Sequence, residues 1–146
     1  MEKKQILEGN KLIAEFMGAY YCNDDRNAYP DGYWMCSDEF IELPYNINDF
    51  KFHSSWDWLM TVVEKIENID IRNNGYDFPK VKFQGDHVEI FAYATYRGAS
   101  FYWKKWHSLT ETFNNHVHQV DTKIEAVWLA VVEFLKWYKK KLKNGN

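Results

Sequence analysis

Asp121-Thr-Lys-Ile-Glu-Ala-Val-Trp-Leu-Ala-Val-Val-Glu-Phe-Leu-Lys-Trp-Tyr138 is the longest unbroken helical signal in the chain. Ile124, Trp128, Val131, Leu135 and Tyr138 recur at steps of three or four, which places them on one helix face. Val127, Val132 and Phe134 widen that face into a broad stripe. Thr122 and Glu125 have the spacing of a capping box, in which hydroxyl and carboxylate each satisfy a backbone N–H that the helix leaves without a partner. Lys136, Lys139, Lys140 and Lys141 crowd the last turns, where positive charge suits the helix dipole. The pattern predicts a capped amphipathic helix over 122–141. Its apolar face needs a surface to pack on, which makes it scaffold rather than a carrier of chemistry.

Two more helices follow from the same periodicity. Ser54 or Ser55 stands at the cap of a helix from Trp56 to about Asn68, with Leu59, Val62, Val63 and Ile66 as its buried stripe and Glu64, Lys65 and Glu67 toward water. Trp56 and Trp58 are two apart and do not share a face. One is expected to pack inward and the other to look outward, onto Tyr45, Phe50 or Phe52, either as a staple for the helix start or as the wall of an aromatic pocket. Residues 4–17 fit a third amphipathic helix through Ile6, Leu7, Leu12, Ile13, Phe16 and Met17, interrupted at Gly9-Asn10 and stopped at Gly18.

The intervening segments read as strands and turns. Residues 21–32 are loop-like, with a turn at Tyr29-Pro-Asp-Gly32; Tyr33–Cys36 and Phe40–Leu43 are short strands; 44–53 is irregular. After Asn73-Asn-Gly75, Val81–Phe83 and His87–Ala94 read as strands joined by a turn at Gln84-Gly-Asp86, and His116–Val120 as one more. Without regular βαβ alternation, this order predicts an α+β fold: a small antiparallel or mixed sheet packed with two to three helices, sandwich-like. One domain over 1–142 is expected, with a frayed polar tail at 143–146.

Hydrophobic residues at 46% and charged residues at 27% are ordinary, but an aromatic share of 18%, from seven Trp, ten Tyr and ten Phe, exceeds what one small core takes. Some aromatics are therefore expected in a cleft or at an interface, including a homo-oligomeric one. A net charge of −3 argues against a nonspecific binder of duplex DNA, which needs a basic footprint. No apolar run has the length of a membrane span, and Met1-Glu-Lys-Lys-Gln5 begins a segment too broken for a signal peptide, so a cytoplasmic setting is expected. In that setting Cys22 and Cys36 are expected as free thiols.

Three blocks occur together: Leu12-Ile-Ala-Glu-Phe-Met-Gly18, Trp56-Asp-Trp-Leu-Met-Thr-Val-Val-Glu-Lys-Ile-Glu67 and Thr122-Lys-Ile-Glu-Ala-Val-Trp-Leu-Ala-Val-Val-Glu-Phe-Leu-Lys-Trp-Tyr138. The combination resembles small uncharacterised proteins of phages and prophages, of the phage ABA-sandwich type. The resemblance implies a start helix, a central helix and a closing helix packed with a small sheet, in a cytoplasmic protein of a mobile genetic element acting inside the host cell. It brings no catalytic residues and does not reach residues 96–107.

Those residues are the first candidate for chemistry. Tyr96, Arg97, Tyr102, Trp103, Lys104, Lys105, Trp106 and His107 mix aromatic rings with cations, a combination that stacks on bases and holds phosphates. The plainer account is an amphipathic strand whose rings fill the core or an interface while its lysines face water. His116 and His118, two apart with Asp121 near, could share a metal if Glu111, His107 or His87 completed the shell; an exposed histidine pair is the commoner arrangement. Asp24, Asp25, Tyr29, Asp31 and Tyr33 form an acidic-aromatic loop, better read as turn-formers than as paired catalytic carboxylates. No nucleophile elbow, P-loop, dinucleotide fingerprint or zinc-protease helix occurs.

The reading favoured by these residues is a non-catalytic, cofactor-free binding protein of a phage. It would counter a host defence by sequestering a nucleotide-type signalling molecule, or by binding a host protein, through the 96–107 stretch. The competing readings are a small metal-assisted hydrolase using His116, His118 and Asp121, and a structural or assembly module without a ligand.

Overall fold

A computed structural model describes residues 1–22, 33–36, 46–72, 75–76, 78–84, 87–96, 99–109 and 122–140. Of Tyr33, Cys36, Gln84, His87, 91–96 and 99–109 it describes the backbone alone. The C-terminal helix α3 runs Lys123–Tyr138, and the Thr122 hydroxyl accepts from the Glu125 N–H at 3.3 Å, the hydroxyl half of the expected capping box. Every residue from Ala126 to Val132 is buried, followed by Phe134, Leu135 and Trp137. Within 126–137 only Glu133 and Lys136 are exposed. A helix apolar nearly all round belongs in an interior.

This corrects the expectation of a one-faced closing helix. α3 is the central element: it packs against two strands of the larger sheet and against both other helices. Ala126, Leu129 and Ala130, outside the anticipated stripe, are buried as well.

Helix α1, Lys3–Phe16, continues through Gly9-Asn10 without a break, against the expected interruption. Gly9 is there for proximity. A Cβ at this position would lie 2.2 Å from the Trp128 ring and 3.1 Å from Val132. Gly18 ends the helix as expected, with φ 96° in the left-handed region and its N–H on the Glu15 carbonyl at 3.1 Å.

Helix α2, Trp56–Glu67, buries the anticipated Leu59, Val62, Val63 and Ile66. Ser55 holds the cap position but its side chain makes no capping bond, a departure from the sequence reading. Lys65 also departs. Its ammonium donates to the Phe16 carbonyl at 2.9 Å and sits 5.1 Å from the Phe16 ring centroid, so it caps α1 instead of facing free water. Trp58 turns inward and Trp56 is 41% exposed, as the two-residue spacing required, but the contact with Phe52, ring centroids 5.0 Å apart, belongs to the inward ring and not to the outward one.

The stretch expected to be irregular is partly ordered. A 3-10 turn, Ile47–Asp49, is capped by Asn46, whose Oδ1 accepts from the Asn48 N–H at 2.9 Å while the Asp49 carboxylate accepts from the Asn46 N–H at 3.1 Å. It leads into Phe50 and Phe52, both in the core.

Strand β1, Ala19–Cys22, pairs antiparallel with β2, Tyr33–Cys36. A second, wholly antiparallel sheet has the order β3 (Lys80–Gln84), β4 (His87–Tyr96), β5 (Ala99–Leu109). Gln84 pairs with His87, which puts the β3–β4 turn where the sequence placed it. The class is α+β, as expected. Strand β5 was not anticipated as one unit. Lys104-Lys105 breaks its alternation, and Ala92 pairs with Lys104 while Tyr93 pairs with Tyr102, so Trp103 is the extra residue of a β-bulge that shifts the phase. The expected Phe40–Leu43 and His116–Val120 strands lie outside the described residues.

Candidate binding cleft

The glycine stop at Gly18 turns the chain directly into β1, so the strand starts beside the last turns of α1. Lys11 and Glu15, four apart, share a face of that helix. Tyr20 and Tyr21 follow on β1, 52% and 50% exposed. Across the ladder Tyr21 pairs with Trp34, and their rings meet edge-on with centroids 5.8 Å apart. Trp34 is buried and rests edge-on against Phe50 at 5.7 Å. The 3-10 turn, through Asn46, Ile47 and Asn48, closes the opposite wall. The result is a cleft of about 670 Å³, inside the range of small-molecule sites, where apolar walls carry a few polar groups.

The polar groups are unequal. The Glu15 carboxylate lies 3.8 Å from the Lys139 ammonium. Lys11 is exposed and makes no ion pair among the described residues. Asn46 Oδ1 is occupied by both the backbone and side-chain amides of Asn48, at 2.9 and 2.7 Å.

Beneath the cleft lies a buried polar network. Asn10 is the one fully buried polar side chain among the described residues. Its Nδ2 donates to the Phe50 carbonyl at 3.0 Å and meets His53 Nδ1 at 2.9 Å, and its Oδ1 accepts from Trp128 Nε1 at 2.9 Å. An indole N–H only donates, so Oδ1 must face Trp128 and Nδ2 must face the carbonyl and the imidazole. His53 Nδ1 is then an acceptor and carries no proton. Burial pushes the His53 pKa below its ordinary 6.5, in the same direction. Through Phe50 this network holds both the floor under Trp34 and the end of the 3-10 turn.

Those of residues 96–107 that the structure describes lie on the larger sheet. Tyr96 ends β4, and Tyr102 to His107 lie along β5, with Trp106 opposite Ile90, Lys105 opposite Phe91 and His107 opposite Glu89. Arg97 lies outside the described residues, as do Glu111, His116, His118 and Asp121. Asp24, Asp25, Tyr29 and Asp31 are likewise outside, while Tyr33 opens β2 opposite Cys22. Cys22 is a free thiol, and Cys36 stands at the other end of the same short ladder, opposite Ala19. Among the described residues no three His, Cys, Asp or Glu side chains converge as a metal shell, and no helix is long and apolar enough to cross a membrane.

Sequence reasoning missed Tyr20, Tyr21 and Trp34. A usable signal was present: Tyr-Tyr directly after a helix stop, and Tyr-Trp at 33–34 just past an acidic loop. Two short aromatic segments bracketing a loop have hairpin spacing. No family model, curated protein or solved structure matches the chain.

Proposed function

We propose that this chain is a non-catalytic binding protein that captures a planar, nucleotide-type small molecule in the cleft between α1, the β1–β2 pair and the 3-10 turn. The observation that carries this reading is half-exposed Tyr21, edge-on against buried Trp34, in a cavity of about 670 Å³ that Tyr20 also lines. Aromatic surface left open in a concavity is suited to stacking on a flat ring. The phage-type blocks at 12–18, 56–67 and 122–138 support the biological half of the reading, in which the captured molecule is a host defence signal.

A thermal-melt panel of cyclic and ADP-ribose-derived nucleotides tests it. A ligand at a hundred times its Kd adds about 2.7 kcal/mol of stability, a clear rise in Tm. The rise is expected to vanish in Tyr21→Ala and to persist in Trp103→Ala. Loss in Trp103→Ala with retention in Tyr21→Ala would move the site to β5. No rise with any compound rejects the reading.

A further inference from the structure

Resting on that reading, the polar lining narrows the ligand, and we infer that the cleft takes a nucleoside monophosphate, with its base against Tyr21 and its one phosphate on Lys11. Charge on the described lining sets the number of phosphates. Lys11 is its one cation and has no ion-pair partner among the described residues. Glu15, one turn further along the same helix face, is already offset by Lys139 at 3.8 Å. A single phosphate therefore meets one free ammonium. Each further phosphate adds negative charge beside Glu15 with no second cation on the described lining, and Lys139 already faces that carboxylate.

The opposite wall suits the base. Asn48 Nδ2 is committed to Asn46 Oδ1 at 2.7 Å. That bond leaves Asn46 Nδ2 as a donor and Asn48 Oδ1 as an acceptor on adjacent side chains. A donor beside an acceptor is the complement of a base edge, which presents the same two groups in reverse.

Calorimetric titration of the full chain with adenosine, guanosine, cytidine and uridine, each against its 5′-monophosphate, tests the inference, with the matching di- and triphosphates as further arms. At least one monophosphate is expected to bind about five-fold tighter than its nucleoside, with no further gain for the di- and triphosphate. The advantage is expected to shrink in high salt. In Lys11→Gln, a change at an exposed position, the monophosphate should fall to the nucleoside's affinity while the nucleoside is unaffected. Equal binding of nucleoside and monophosphate, an advantage that survives Lys11→Gln, or affinity that climbs with every added phosphate would each overturn it. In the first two cases ring capture by the cleft still stands. If neither nucleosides nor nucleotides bind, the wider reading fails as well.

Discussion

The indole Nε1 of Trp128 donates to Oδ1 of Asn10 at 2.9 Å, joining positions 118 residues apart in the chain. This bond locks the Asn10 amide, and the amide in turn holds the Phe50 carbonyl and His53. One buried side chain thus ties α1, α3 and the segment that floors the cleft.

Asn10→Ala is expected to cost about 2–4 kcal/mol, because it leaves the Trp128 N–H buried without its acceptor and removes the amide donor from the Phe50 carbonyl. Urea unfolding followed by tryptophan fluorescence measures it. If Asn10→Ala loses less than about 0.5 kcal/mol, a routine surface-like effect, the network does not hold the core.

Gly9→Ala separates helix propensity from packing. In an exposed helix interior this change stabilises by about 1 kcal/mol. Here the new methyl would stand 2.2 Å from the Trp128 ring, and overpacking of a tight core costs about 1–3 kcal/mol. The variant is expected to melt below the wild type, and a higher Tm would contradict the close approach of α1 to α3.

Stability should depend on pH through His53. Its folded-state pKa is lowered, so the folded protein prefers the neutral ring. The stabilisation is full above the unfolded value of about 6.5 and is lost as pH falls through the lower folded value. Denaturant midpoints from pH 8 to pH 5 should drop more in the wild type than in His53→Gln, whose amide oxygen can still accept from Asn10. Parallel profiles for the two proteins would remove His53 as the source.

Lys65→Met keeps the aliphatic contact over Phe16 and deletes the ammonium that caps its carbonyl. A loss of about 1 kcal/mol is expected, and amide exchange should quicken at the C-terminal end of α1, near Phe16 and Met17. An unchanged exchange pattern would show that water replaces the lysine without cost.

The helices α1 and α2 were legible because one-sided burial writes itself into a sequence as a period near 3.6. The stripe Leu59, Val62, Val63, Ile66 needed no partner to be recognised, and the stop at Gly18 and the turn after Gln84 follow from local backbone chemistry. Strand β5 was hidden because the bulge at Trp103 and the lysines beside it break the two-residue period. The cleft was hidden for another reason: Lys11, Tyr20, Trp34 and Asn46 come from four separate segments, and no local pattern states that they meet.

Periodicity, glycine stops and turn residues, all of which act within a few positions, were enough to establish the α+β class, two of the helix faces and the β3–β4 hairpin. Tertiary packing alone decided that α3 lies at the centre, since an all-round apolar helix acquires its meaning from the layers placed on each side. The same packing decided that Gly9 serves as a contact surface and that Asn10 belongs inside. Both depend on the approach of Trp128, a contact between distant segments that no short-range rule encodes.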